Sequence, residues 1–138
     1  MEYRLPWRAE LVHGKGYLSW EEWNQLDIVE LLKPRPGDIV VYSTEQFDKW
    51  LRENNINNLV YTGFTTNLCI LDSPAAMRVM SKLGYTIVIL REATLAIEHH
   101  DTLSNLLNTK LTIRYIETWV GFSASVDDFI KACESLLG

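Results

Sequence analysis

The chain has 138 residues, of which 47% are hydrophobic and 22% charged, the composition of an ordinary globular domain. The net charge is −5 and the thirteen Lys and Arg residues form no basic run, so nucleic acid and anionic membranes are poor candidates as partners. The two cysteines, Cys69 and Cys133, lie far apart without a CxxC pair, which indicates neither a metal site nor a disulfide framework and suits a reducing cytoplasm.

The N-terminal part of the chain predicts little regular structure. Residues 1–18 show no clear period and are expected to form an irregular arm. Ser19 and Glu22 have the spacing of a capping box, which predicts a short helix after them. Pro34 and Pro36 then end regular structure.

Strands and helices alternate from Gly37 to residue 90. Short apolar runs rich in β-branched residues are typical of buried strands, and the helices between them are marked by their caps. Ser43 and Gln46 have capping-box spacing, and Gly84 is expected to end the second helix. In chain order the predicted elements are a strand at 38–42 (DIVVY), a helix with Phe47, Trp50 and Leu51 as its apolar stripe and a left-handed cap at Asn54–Asn55, a strand at 58–63 (NLVYTG), a long helix at 67–83 and a strand at 86–90 (TIVIL).

This close alternation predicts an α/β fold. Strands separated by single helices pair in parallel through right-handed crossovers. Strands that are apolar at every position suit a sheet covered on both faces. We therefore predict one domain, made of the arm at 1–18 and an α/β core at 37–138.

The last third of the chain continues the helical pattern. Asp101 is expected to cap a short helix that runs through Leu107. Residues 109–119 alternate like a strand but also show helical spacing, and the helix is favoured. The remaining predicted elements are a strand at 122–125 (FSAS) and a final helix capped by Ser125, with Phe129, Cys133, Leu136 and Leu137 facing inward.

The stretch GFTTNLC at 63–69 joins a strand to a helix at the carboxyl end of the sheet, where open α/β sheets bind ligands. If Thr65 or Thr66 caps the helix, Cys69 lies in its first turn, where unpaired N–H groups and the helix dipole favour a thiolate. The backbone N–H groups of this turn, those of Thr65, Thr66 and Leu68 among them, are candidate donors to an oxyanion. Cys69 is then a nucleophile for a carbonyl carbon, or else a small apolar residue that fills the core.

The residues around this turn resemble those of a known enzyme family. The run GFTTNLCIL at 63–71, an Ala75–Ala76 pair, Gly84–Tyr85 and a strand ending in Glu92–Ala93 are similar to the isochorismatase-like cysteine hydrolases. A subgroup with Thr-Asn-x-Cys-Val-Leu and a proline five residues after the cysteine is the most similar. The likeness extends over roughly residues 28–125.

The resemblance implies a three-layer, Rossmann-like α/β sandwich with a parallel sheet, a Cys–Lys–Asp triad and hydrolysis of small amides, ureas or enol ethers. It also implies a cis peptide bond between Phe64 and Thr65. The family, however, opens with a strand that ends in the catalytic Asp, then a helix and a second strand, and no such pattern precedes residue 37. The expected Lys after DIVVY is missing, and Lys49 is predicted to be a surface charge. We therefore predict the fold without its first strand–helix–strand, with one triad residue present.

Four side chains are alternative acid–base groups. Asp72 lies one helical turn after Cys69, Glu45 begins the helix after DIVVY, and His99 and His100 follow the strand at 86–90. Each also has a purely structural interpretation, as a solvated residue or as an acid that suits a helix N-terminus. The strand-end acid, Glu92, is expected to be structural.

Three functional hypotheses follow. The chain is a cysteine hydrolase of a small molecule, completed by a partner chain or by unfamiliar residues; it is a binding or scaffolding protein that kept the fold and lost the chemistry; or it is a piece of a longer enzyme. Missing strands would expose apolar edges, so a homo-oligomer or a partner chain is expected. There is no metal-ligand spacing, no phosphate loop and no apolar stretch of the roughly 18 residues that span a membrane, so no cofactor and no membrane association are expected.

Overall fold

The computed structural model describes Gln25 and residues 28–137, and the chain divides into two compact units, Met1–Val40 and Val41–Gly138. In the first unit, a 3-10 helix at Glu30–Leu32 is followed by a turn in which the Asp38 carboxylate accepts the Arg35 N–H at 2.8 Å. The predicted arm at 1–18 and the capping box at Ser19 lie outside the described residues.

The second unit is built on a parallel three-stranded sheet with the order β1-β2-β3, which confirms the α/β fold class. The strands are β1 (Asn58–Phe64), β2 (Thr86–Leu95) and β3 (Phe122–Ala124). The helices of this unit are α1 (Thr44–Glu53), α2 (Cys69–Asp72), α3 (Met77–Lys82), α4 (Leu107–Trp119) and α5 (Val126–Leu137), with a 3-10 helix at Leu103–Asn105. All three strands and the helix form of 109–119 were predicted, and β2 is longer than predicted.

Local chemistry explains the ends of α1. The Ser43 hydroxyl accepts the Gln46 N–H at 3.1 Å, as a capping residue does, and the Gln46 side chain accepts the Tyr42 N–H at 3.0 Å. The helix ends at Asn54, and Asn55 adopts the left-handed conformation with φ 55°. These caps confirm the predicted bounds of the helix.

The core of the unit lies between the sheet and the helices. Met77, Met80, Ile89 and Ile116 are fully buried there. Each such side chain contributes roughly 1.5–3 kcal/mol relative to an exposed position. The predicted stripe of α1 takes part, because Leu51 is buried and Phe47 and Trp50 pack against the core from its edge.

The predicted strand at 38–42 does not form among the described residues, where the backbone of this run has no regular secondary structure. An apolar, β-branched run becomes a strand only when a neighbouring strand accepts and donates its ladder hydrogen bonds. The described sheet begins at Asn58. Composition therefore identified a segment able to form a strand, but the described three-stranded sheet does not include it.

The predicted long helix at 67–83 is also wrong, because the chain forms two short helices, α2 and α3, instead. Pro74 separates them. A residue before proline is pushed to extended backbone, and Ser73 has ψ 167°. Ala75 then adopts φ 62°. The helix α3 ends at Lys82 with Leu83 as its C-cap, and Gly84, with φ 95°, follows it as the predicted helix end.

Two predictions for the C-terminal third need correction. Asp101 does not cap a helix: only a 3-10 turn at Leu103–Asn105 forms there, without a side-chain cap, because Leu106 is left-handed at φ 52° and interrupts the helical backbone before α4. In α5, the cap at Ser125 is confirmed by its bond from the Asp128 N–H at 3.0 Å. The inward stripe of α5 is wrong, since Phe129 and Cys133 are exposed and Leu136 is 85% exposed; the Leu137 side chain lies outside the described part.

The described residues contain no helix with the length and apolar character needed to cross a bilayer.

Candidate active site around Cys69

Cys69 is the first residue of α2 and its side chain is exposed. Burial in the core therefore does not account for this cysteine. The N-cap is Leu68, in place of the predicted Thr65 or Thr66, and the helix has only four residues. So short a helix has little macrodipole, and the electrostatic environment of the thiol is set by the N–H groups of the preceding turn.

The turn between β1 and α2 is wound around one carbonyl group. The Thr65 carbonyl accepts the N–H groups of both Leu68 and Ile70, each at 3.1 Å. The peptide bond between Phe64 and Thr65 is cis, and Gly63 has φ 105°, a conformation that glycine adopts without steric cost. Cys69 thus follows directly from a closed, internally bonded turn.

The predicted oxyanion donors are only partly available. The Thr66 N–H donates to the Leu95 carbonyl at 3.1 Å, and the Leu68 N–H is used within the turn, so both of these donors are already bonded and their prediction is corrected. Among the described residues, the N–H groups of Thr65, Asn67 and Cys69 have no acceptor. Within the described residues, the turn therefore presents unpaired donors at Cys69 itself and at two residues that precede it.

Buried hydroxyl groups connect this turn to the end of β2. Thr66 is completely buried, and its hydroxyl lies 2.6 Å from that of Thr94, which in turn donates to the Gly63 carbonyl at 3.0 Å. The Asn67 side-chain oxygen accepts the Ile97 N–H at 3.0 Å. The Thr65 hydroxyl oxygen is also buried but has no partner among the described residues.

Asp72 is bound in an ion pair. Arg78 contacts both of its carboxylate oxygens, with Nε 2.7 Å from Oδ1 and Nη2 3.3 Å from Oδ2. Arg78 also donates from Nη1 to the Tyr115 hydroxyl at 2.6 Å. The carboxylate of Asp72 therefore holds α2, α3 and α4 together through one guanidinium, in keeping with its structural interpretation.

The other candidate acid–base residues are exposed and lie on different elements. Glu45 is in the first turn of α1, and His99 and His100 follow β2 in a loop where the Thr102 hydroxyl accepts the His99 N–H at 2.8 Å. Among the described residues, none of the three forms a hydrogen bond or ion pair with Cys69. Glu92 accepts the Val126 N–H at 2.9 Å and so supports the start of α5.

Lys49, the other basic residue considered, is exposed on α1, with its Nζ 3.9 Å from the Glu53 carboxylate. This is the surface position that the sequence predicted.

The sequence did not predict the role of Glu98, a carboxylate that accepts several hydrogen bonds. It accepts the N–H groups of Asn108 at 3.1 Å and Thr109 at 2.8 Å, and the Thr109 hydroxyl at 2.7 Å. Desolvation works against its ionisation, but hydrogen bonds from Thr102, Thr109 and Asn108 outweigh it and lower the pKa of Glu98 to about 2. Its role is to bind the N-terminus of α4, and its sequence distance from that helix lies outside any capping-box spacing.

Among the described residues, no group of three or more His, Cys, Asp or Glu side chains is arranged to hold a metal ion.

Comparison with known proteins identifies relatives over most of the chain. The isochorismatase domain family matches residues 21–118. The ureidoacrylate amidohydrolase RutB of Variovorax paradoxus is 33% identical over 132 residues, which cover 91% of this chain and 48% of the relative. The protein of the same name from Pseudomonas savastanoi pv. phaseolicola is 37% identical over 109 residues, 74% of this chain and 41% of the relative. The chain thus spans about half the length of the curated relatives it matches.

Two solved structures share the fold. A cysteine hydrolase from Pseudomonas syringae pv. phaseolicola superposes with a TM-score of 0.64 at 20% identity, over 79% of this chain and 55% of that one. An isochorismatase-like hydrolase from Alkaliphilus metalliredigens gives a TM-score of 0.55 at 19% identity, over 83% of this chain and 59% of that one. By themselves, these two structures show a shared fold. The family match over residues 21–118 and the sequence relatives go further, and they show that the chain belongs to the isochorismatase family.

Proposed function

We propose that this protein is an isochorismatase-like hydrolase that cleaves a small amide or ureido compound, with Cys69 as the nucleophile. The observation that carries the proposal is the exposed thiol at the end of a turn whose Thr65, Asn67 and Cys69 N–H groups have no acceptor in the part of the chain that the structure describes. The substrate class is supported by the relatives, which are named for ureidoacrylate. Ureidoacrylate is therefore the first compound to examine.

The proposed reaction has two stages. The Cys69 thiolate attacks the carbonyl carbon, a carbon–sulfur bond forms, and the electron pair of the carbonyl double bond moves to oxygen. Unpaired N–H groups of the turn stabilise that oxyanion by hydrogen bonds, a contribution of about 3 kcal/mol for each well-placed donor. The carbon–nitrogen bond then breaks, the nitrogen leaves with a proton as the amine, and water cleaves the thioester to give the acid and restore the thiol.

This reaction also needs groups that donate and accept protons. The thiol must lose a proton and the leaving nitrogen must gain one. A side chain that transfers such a proton typically accelerates a reaction by roughly 10²–10⁴-fold. Among the candidates, the Asp72 carboxylate is already bound by Arg78, and Glu45, His99 and His100 lie on separate elements. We propose that a partner chain supplies the acid–base groups.

A binding protein that retains the fold is the second candidate. The observation in its favour is the ion pair of Asp72, the carboxylate nearest in sequence to Cys69, which leaves the described residues without an identified base beside the thiol. Such a protein would bind a carbonyl compound at the same N–H groups and release it unchanged. The two candidates differ in turnover and not in the position of the ligand.

The test uses the two exposed cysteines as a matched pair. Ammonia or amine release from ureidoacrylate and a panel of small amides is measured for the wild-type chain and for Cys69→Ser, Cys69→Ala and Cys133→Ser. We expect release by the wild-type protein and by Cys133→Ser, and loss of at least a thousandfold in both Cys69 variants. Equal rates in wild type and Cys69→Ala would refute the proposed nucleophile.

Ligand binding separates the second candidate from the first. If no compound is turned over, titration calorimetry with the same panel detects a carbonyl ligand that binds without reaction. Binding that Cys69→Ala retains, without any turnover in the wild-type protein, would favour the binding protein over the hydrolase.

A further inference from the structure

We propose that Thr94 is a positioning residue for Cys69 and that it acts through Thr66. This inference rests on the proposed function, in which the Cys69 thiol is the reacting group. Neither threonine contacts the thiol in the structure, and the effect of Thr94 is exerted through the backbone of the turn at 63–69.

The register of the sheet brings Thr94 to this turn. Tyr61 of β1 pairs with Ile89 of β2, but two residues later Gly63 pairs with Thr94, so β2 carries extra residues in a bulge. Bulges bend a strand and redirect the side chains that follow them. Here the bulge places the Thr94 hydroxyl beside the end of β1, 3.0 Å from the Gly63 carbonyl oxygen.

The direction of the hydrogen bonds follows from the number of protons. A threonine hydroxyl has one proton to donate and two lone pairs to accept with. Because Thr94 donates to the Gly63 carbonyl, it must accept from the Thr66 hydroxyl, 2.6 Å away. The chain of bonds therefore runs from Thr66 through Thr94 to Gly63, and it closes the turn on itself across the sheet.

Backbone and amide contacts fasten the same turn at neighbouring points. The Thr66 N–H donates to the Leu95 carbonyl at 3.1 Å, and the Asn67 side chain accepts the Ile97 N–H at 3.0 Å. Residues 94–97 thus hold residues 63–67 on one side, and Cys69 follows two residues after the last tether. We infer that the unpaired N–H groups of Thr65, Asn67 and Cys69 keep their direction only while this segment is fixed.

The hydroxyl of Thr94 cannot be replaced by water. Thr66 is fully buried and Thr94 is 8% exposed, so a valine at 94, which has nearly the same shape, would leave the Thr66 hydroxyl and the Gly63 carbonyl without their partner. The turn would then relax to find other partners. Serine at the same position keeps the hydroxyl and loses only a methyl group.

The experiment measures Cys69 directly, without turnover. Wild type, Thr94→Val, Thr94→Ser and Ser81→Ala are treated with iodoacetamide at pH 7, and peptide mass spectrometry gives the ratio of the Cys69 and Cys133 alkylation rates. Ser81→Ala is the matched control, because it removes a hydroxyl that donates to the Val120 carbonyl at 2.8 Å, away from the turn. We expect the ratio to fall at least fivefold in Thr94→Val and to stay within twofold of wild type in Thr94→Ser and Ser81→Ala.

Hydrolysis kinetics give a second reading of the same variants. For a substrate found in the assay above, Thr94→Val should lower kcat more than tenfold with a smaller change in KM, and Thr94→Ser should restore kcat. An unchanged alkylation ratio in a folded Thr94→Val protein would overturn the inference. If Thr94→Val does not fold, Thr94→Ala removes the same hydroxyl with a smaller side chain, and an unchanged ratio in that variant overturns the inference equally.

The outcomes separate this inference from the proposed function. A chain that hydrolyses nothing, yet loses Cys69 reactivity in Thr94→Val and regains it in Thr94→Ser, supports the positioning role and contradicts the hydrolase. A chain that hydrolyses its substrate equally well with valine at 94 supports the hydrolase and contradicts the positioning role.

Discussion

Replacing Gly121 with alanine would test how closely the residue before β3 approaches Ile87 of the central strand, β2. A Cβ atom at this position would lie 2.4 Å from the Ile87 carbonyl oxygen and 2.8 Å from the Ile87 Cβ. Since non-bonded carbon atoms prefer separations of about 3.5–4.0 Å, the two segments must move apart by about 1 Å. Ile87 is 1% exposed and lies in the central strand, so it has no room to retreat.

The structure places this substitution at the costly end of overpacking. Added methyl groups in a packed core typically cost about 1–3 kcal/mol, and a contact with strand backbone cannot be relieved by a change of rotamer. We therefore expect Gly121→Ala to lower the free energy of unfolding by about 3 kcal/mol. In a chain of this size that corresponds to a fall in Tm of roughly 10 °C.

Gly84 supplies the matched control, measured beside Gly121→Ala by urea and thermal unfolding. A Cβ at Gly84 meets nothing within 4 Å, but φ is 95°, so Gly84→Ala is strained by conformation alone, at about 1–2 kcal/mol. If Gly121→Ala is as stable as wild type, or is less destabilised than Gly84→Ala, the result contradicts the close contact between Gly121 and Ile87.

Three further predictions follow from the ionised groups and the exposed apolar surface. Because the pKa of Glu98 falls from 4.5 to about 2 on folding, its stabilisation is present above 4.5 and is lost as the pH falls toward 2; in acid titrations of unfolding free energy, Glu98→Gln should show a shallower decline than wild type, and parallel curves would contradict this. The Asp72–Arg78 pair is partly exposed, so Asp72→Asn should cost less than about 1 kcal/mol and keep hydrolysis within tenfold; a hundredfold loss in a folded protein would instead identify Asp72 as an acid–base group. Trp119 is 75% and Phe122 65% exposed, so we expect native mass spectrometry to detect an assembly, and a stable monomer would contradict the predicted partner.

The features predicted correctly from the sequence are those decided by a few neighbouring residues. Ser43 and Ser125 cap their helices because a hydroxyl beside a helix start accepts an N–H two or three residues on. Asn55 and Gly84 end helices because they tolerate the left-handed conformation. The strands β1 and β2 were predicted because their apolar, β-branched runs each follow such a cap.

The features predicted wrongly depend on distant partners. The run at 38–42 has the composition of a strand but does not join the described sheet, and the apolar stripe of α5 has no surface that buries it among the described residues. Neither the pairing of a strand nor the burial of a helix face can be read from the residues of the segment alone. The break of the helix at 67–83 is different, because Pro74 was visible in the sequence and its effect on Ser73 outweighed the helical spacing of the apolar residues.

The candidate site combines both kinds of information. Its position follows from a local signal, a Gly turn at the carboxyl end of a strand with a cysteine just beyond it. The sequence does not show which N–H groups remain free. The Leu95 carbonyl accepts the Thr66 N–H and the Thr65 carbonyl accepts the Leu68 N–H, and both bonds form only in the folded turn. Thr94 was missed for the same reason, since only the bulge in β2 brings its hydroxyl to Gly63. The sequence therefore locates the proposed nucleophile, whereas the fold determines which nearby N–H groups stay unpaired, and we expect a variant that keeps Cys69 but changes the end of β2 to lose activity without losing the motif.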